Sequence, residues 1–119
     1  MQALGALYAA DVLSLPEIDT SGLSGRAALM ATGTWSDRSA IDEALGIAST
    51  RWRIERMPAV DRNILRLATW ELTHTELPKA VVISEAVELA KQYSTSKSGA
   101  LVNGVISAIA DEGFGSTRV

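Results

Sequence analysis

An all-α fold, a compact bundle of about six to seven helices with no β-sheet, is what this sequence predicts, and three observations predict it. Apolar residues recur at three- and four-residue spacing through most of the 119 residues, which places them on one face of a helix. Alanine is abundant and aromatic residues make up only 5% of the chain; that mixture suits closely packed helices better than strands, which prefer β-branched and aromatic side chains. No stretch alternates apolar and polar residues between hairpin turns. The length fits a single domain over residues 1–119, and 47% hydrophobic residues can fill its core.

The first helix is expected over 2–14, where Leu4, Leu7, Tyr8, Val12 and Leu15 recur at helical spacing. Pro16, Gly22 and Gly25 make 14–25 a loop. A short helix over 26–33 ends at Gly33. The stretch 36–48 is a better helix: Ile41, Leu45 and Ala48 line one face, and Asp37, Asp42 and Glu43 lie toward the positive end of its dipole. Residues 49–57 are transitional. Pro58 then stands where a first-turn proline belongs, opening a helix over 58–75 with Val60, Ile64, Leu67 and Ala68 as its stripe. Pro78 breaks the chain before a helix over 79–93, with Val82, Ala86, Leu89 and Tyr93 on one face. The run 94–98 is a turn that offers Ser98 as N-cap, and the last helix, over 99–112, stops at Gly113. The helices over 58–75 and 79–93 should pack through Ile64, Leu67, Ala68, Val82, Ala86 and Leu89.

Charge and composition exclude several classes. There is no cysteine, so disulfides and thiolate metal sites are out and an intracellular setting fits. The first 15 residues carry no Lys or Arg, against the positive start of a secretory signal. No apolar run approaches the ~18 residues of a membrane span. Net charge is −3, but five of the eight arginines, Arg51, Arg53, Arg56, Arg62 and Arg66, share one window. With Glu55 and Asp61 that window carries +3 and the rest of the chain −6. It could hold phosphate, or pair with carboxylates on solvated helices.

Enzyme chemistry has little support, so no enzyme, metal or cofactor is expected. His74 is the single histidine, near a helix C-terminus where the dipole favours it. The carboxylates are scattered, without metal-ligand spacing, and no glycine-rich phosphate loop occurs. Glu71 stands out because it falls in line with Val60, Ile64 and Leu67. A carboxylate there must pair or reach the edge of the core, as a structural hydrogen bond or a partner-binding group. Trp35, Trp52 and Trp70 could stack on bases or pack in the core. Gly104 costs about 1 kcal/mol inside a helix, which suggests a close approach by a helix or a ligand.

Four segments in register resemble one family. The run Met57-Pro58-Ala59-Val60-Asp61-Arg62-Asn63-Ile64-Leu65-Arg66-Leu67-Ala68-Thr69-Trp70-Glu71-Leu72 is similar to the NusB pattern of Val-Asp-Arg, Ile-Leu-Arg-Leu-Ala and aromatic-Glu-Leu. Pro78 to Lys91 resembles its Pro-x-x-Val-x-Ile-Asn-Glu-Ala-Val-Glu-Leu-Ala-Lys, and Val102-Asn103-Gly104-Val105 its Phe-Val-Asn-Gly-Val-Leu. Ala6-Leu7-Tyr8 matches the Ala-Leu-Tyr of the family's first helix, and the Ile41-Asp42-Glu43 helix also fits. A related domain precedes some RNA cytosine methyltransferases; there Val-Asn-Ala-Val is commoner, so Gly104 favours the free-standing factor.

The resemblance implies a non-enzymatic bundle of NusB type, a cytoplasmic antitermination factor. Such factors bind boxA-type RNA with ribosomal protein NusE and join NusA, NusG and RNA polymerase, notably on ribosomal RNA operons. Some relatives form a homodimer. Carried onto this chain, the RNA-binding residues would be Tyr8, Lys97, Ser98, Leu101 and Asn103, and the protein-partner residues Glu71 and Trp70. The family's arginine-rich segment upstream of Ala-Leu-Tyr is not in this chain. Ser84 stands where Asn is usual, Leu101 where Phe is, and Ala100 where a basic residue is common. These departures define an alternative: a protein–protein module of the same fold, a homodimer or NusE-only binder, with weak or lost RNA binding.

Overall fold

Helix α4, Ala59–His74, is the axis of the molecule, and the other five helices pack against it. They are α1 (Gln2–Val12), α2 (Gly25–Ser36), α3 (Arg38–Ala48), α5 (Lys79–Tyr93) and α6 (Ser96–Asp111), with a 3-10 turn at Ile54–Arg56. The structure is a computed structural model and describes residues 2–49 and 52–111, the Ser96 side chain apart. Among the described residues there is no strand, and no helix is long and apolar enough to cross a membrane. The expected stop at Gly113 lies outside the described residues.

α1 buries Ala3, Leu4, Leu7 and Ala10, so Tyr8 and Val12, expected on its apolar face, are turned to the surface. The helix ends two residues early. Ser14 takes φ 53°, and the N–H groups of Ser14 and Leu15 return to the carbonyls of Asp11 and Ala10. This is the Schellman closure, with serine in glycine's usual place.

α2 is longer than expected. Ser24 caps it, its Oγ accepting from the Ala27 N–H at 3.1 Å. Gly33 does not end it; the helix runs on to Ser36. The glycine is there because the Trp70 indole lies against it: a Cβ at Gly33 would sit 2.6 Å from that ring. Asp37 alone separates α2 from α3, its N–H closing α2 on the Gly33 carbonyl.

α4 and α5 match their expected spans closely because prolines mark both starts. Ile64, Leu67, Ala68, Val82 and Ala86 are buried as expected, whereas Leu89 is only half-buried and Tyr93 is exposed. α4 also buries its polar face, Asp61, Asn63, Arg66 and Thr69. Lys79 Nζ donates to the Ala110 carbonyl at 3.0 Å, tying the start of α5 to the far end of α6. α6 begins three residues before its expected start. Thr95, not Ser98, is its capping side chain, with Oγ1 accepting from the Ser98 N–H at 3.2 Å. Gly104 is exposed and meets nothing within 4 Å, so no helix approaches there.

Candidate nucleic-acid interface and partner face

The first two turns of α4 organise one end of the bundle. Asp61 is buried there and its Oδ2 accepts from Ser98 Oγ at 2.7 Å, which holds the first turn of α6 against α4. Asp11 of α1 reaches the same region. Its Oδ2 accepts from Arg62 Nε at 2.7 Å, Asn63 Nδ2 at 2.8 Å and Arg66 Nη1 at 3.2 Å. Arg66 also donates to both oxygens of Asp42 on α3, at 2.8 and 2.7 Å. Burial pushes the Asp11 carboxyl up, but hydrogen bonds from Arg62 and Asn63 and the charges of Arg66 and Arg62 outweigh that and hold it below the usual carboxylate range. Two of the five clustered arginines are therefore structural ion-pair donors. Arg53 is exposed and pairs with Glu55 at 3.2 Å, Arg56 is exposed, and Arg51 lies outside the described residues.

The RNA candidates sort by exposure. Lys97 and Asn103 are exposed on α6, and Leu101 is partly exposed between them. Tyr8, 42% exposed, lies on α1 one turn before Asp11. It belongs to a different helix from the others, and the groove bordered by Lys97 and Leu101 does not include it. Ser98 is buried against Asp61, so its hydroxyl is a clamp between helices rather than a surface group. Lys97 and Leu101 border a groove of about 710 Å³ between the end of α3, the start of α4 and α6, with Trp52, Pro58, Gly104 and Val105 in its walls. Trp52 is half exposed beside it. Its interest could be read from its place between two arginines; the groove could not, because its walls come from distant segments.

The partner candidates separate as well. Trp70 is 7% exposed, pressed on Gly33 and stacked on His74 with ring centroids 4.6 Å apart. It is a core residue and presents nothing to a partner. Glu71, its neighbour, lines a different cavity, of about 380 Å³, between α2, α4 and α5. Burial above all, then the charge of Glu85, raises its carboxyl to about 7, with Arg26 acting in the opposite direction. Among the described residues no group of three or more His, Asp and Glu could hold a metal ion.

The model of the NusB family matches residues 8–111. The chain is 56% identical over 80 residues to the transcription antitermination protein NusB of Sorangium cellulosum, covering 66% of this chain and 57% of the relative. It thus spans little more than half the length of that curated relative. T. maritima NusB superposes with a TM-score of 0.81 at 33% identity, over 93% of this chain and 87% of that one. A chain in a crystal structure of a plectonemic RNA supercoil superposes with a TM-score of 0.80 at 26% identity, over 97% and 93%. With the family pattern running through all six helices, the chain belongs to the NusB family.

Proposed function

We propose that this chain serves transcription antitermination in the cytoplasm, binding boxA-type RNA together with ribosomal protein NusE, in a larger assembly with NusA, NusG and RNA polymerase that keeps ribosomal RNA transcription processive. The observation that carries the reading is the exposed start of α6: Lys97 and Leu101 border an apolar-walled groove, and Asn103 is exposed further along the same helix. Lys97 offers a phosphate contact, Leu101 an apolar seat, and Asn103 both a donor and an acceptor for a base edge. Tyr8 adds an aromatic face and a hydroxyl. The curated relatives' name and the RNA crystal structure's likeness support the assignment.

The test is a filter-binding titration of boxA RNA with and without NusE. Tighter binding with NusE, weakened by Lys97→Ala and Tyr8→Ala, is the expected result. RNA bound equally well by a scrambled sequence would sink it. An arginine-rich extension placed before Ala-Leu-Tyr should tighten binding further. A second reading has one observation in its favour: Arg62 and Arg66 are occupied by Asp11 and Asp42, so these two arginines of the clustered window are not free for RNA. On that reading the chain binds NusE or a second copy alone, and the same titration shows NusE binding without RNA binding.

A further inference from the structure

One wall of the groove at the start of α6 holds a buried acceptor that has no donor. Asp61, 1% exposed, is among the lining residues. Its Oδ2 accepts from Ser98 Oγ at 2.7 Å. Its Oδ1 is buried, and no described residue donates to it. A buried acceptor without a donor costs free energy. The first turn of α4, where the helix dipole favours a carboxylate, offsets only part of that. Pro58 and Leu101 make the groove apolar, the half-exposed indole of Trp52 stands in another wall, and Lys97 borders it.

Resting on the reading that the chain binds RNA, we propose that this groove takes one unstacked base and that Asp61 selects a base carrying an exocyclic amine. Adenine, cytosine and guanine each present such a group, which can donate to Oδ1. Uracil has none, and the two carbonyls beside its single ring N–H meet the carboxylate unfavourably. Trp52 offers a stacking face, which accepts any base and so reads no sequence. Lys97 offers charge to the adjoining phosphate. A volume of about 710 Å³ admits a base with its sugar. A basic peptide side chain would also suit a lone carboxylate oxygen, but the charge of Lys97 at the border disfavours a second cation there. Selectivity thus rests on Oδ1, and Ser98 acts through Asp61 by holding its other oxygen.

Filter binding of the full chain with NusE present tests this on boxA RNAs in which each adenine, cytosine and guanine is replaced singly by uracil. At one position the wild type should lose about tenfold in affinity. Asp61→Asn keeps an oxygen for Ser98 and puts an amide N–H2 in place of Oδ1. At that position, and there alone, Asp61→Asn should bind uracil as tightly as the original base or more tightly. Tryptophan emission should be quenched when RNA binds, and the quenching should vanish in Trp52→Phe, because Trp35 and Trp70 are buried. A merely structural Asp61 would lower the affinity of Asp61→Asn for every RNA alike. That result, or a wild type indifferent to every uracil replacement, overturns the base assignment while the RNA reading stands. The wild-type series and the Trp52 signal need no Asp61 variant, and the absence of either overturns it as well. If the wild type with NusE binds no RNA, both readings fall.

Discussion

Asp11 has more consequence than its position near a helix end suggests. It is a single carboxylate holding Arg62, Asn63 and Arg66, and through Arg66 it shares a cation with Asp42. Asp11→Ala leaves that cluster short of negative charge in a partly buried place, which costs about 3–5 kcal/mol when a buried pair loses one partner. Urea denaturation measures it; a loss under about 1 kcal/mol would show that water replaces the carboxylate. Because the folded pKa of Asp11 is depressed, its contribution is present above the ordinary carboxylate pKa and disappears as pH falls through the folded value. Glu71 has the opposite sign. Its folded pKa is raised from 4.5 to about 7, so the native state holds the proton more tightly and stability declines as pH rises across that window. Above it, Glu71→Gln should be the more stable protein by about 1–2 kcal/mol, a shift discounted for solvent at the groove mouth. At pH 4 the two should melt alike. A wild type whose stability is level from pH 5 to 8, with Glu71→Gln no better, would place that carboxylate in ordinary solvent.

At the scale of the helix, two glycines within α-helices separate packing from propensity. At Gly33 a methyl group would enter the Trp70 indole, and that ring is itself fixed between α2 and His74. Gly33→Ala should therefore lose about 1–3 kcal/mol by overpacking. At Gly104 nothing lies within 4 Å, so Gly104→Ala should gain about 0.5–1 kcal/mol from the helix backbone alone. Thermal melts of the two variants should move in opposite directions; a stabilised Gly33→Ala would mean Trp70 can step aside. The same pair explains what was legible in the sequence. α4 and α5 could be read because period, length and a preceding proline agree. α2 was cut short because a glycine in a helix reads as a stop, and the ring that requires it is 37 residues away. Ser98 and Trp70 were misplaced for the same reason. Their partners, Asp61 and Gly33, come from other helices, and spacing along one helix carries no information about them. Leu89 fell on the expected face but at the mouth of the Glu71 groove. Leu89→Ala should accordingly cost about 1–2 kcal/mol, against about 2–5 for the fully buried Leu67→Ala.

For the molecule as a whole, the decisive quantity is where the cations are, not how many there are. A net charge of −3 and an arginine window leave two readings open, a phosphate-binding patch or arginines paired with carboxylates. The fold spends Arg62 and Arg66 on fastening α1 and α3 to α4, so that patch is largely internal. Among the described residues, Lys97 and Lys91, whose stem lies against Gly99, are exposed at the start of α6, and Arg53 and Arg56 are exposed on and beside the 3-10 turn. Arg53 is shared with Glu55. Few phosphates can be neutralised by so few charges, and each contributes a log–log salt slope of about −0.7 on single strands. Binding of boxA RNA by this chain should thus have a shallow salt dependence, with a slope of about −1 to −2. Lys97→Ala should reduce it by about 0.7, while Tyr8→Ala should weaken binding without changing the slope, because stacking releases no counterions. A slope steeper than about −4 would require more cations than this face displays. It would move the RNA off the α6 end of the bundle.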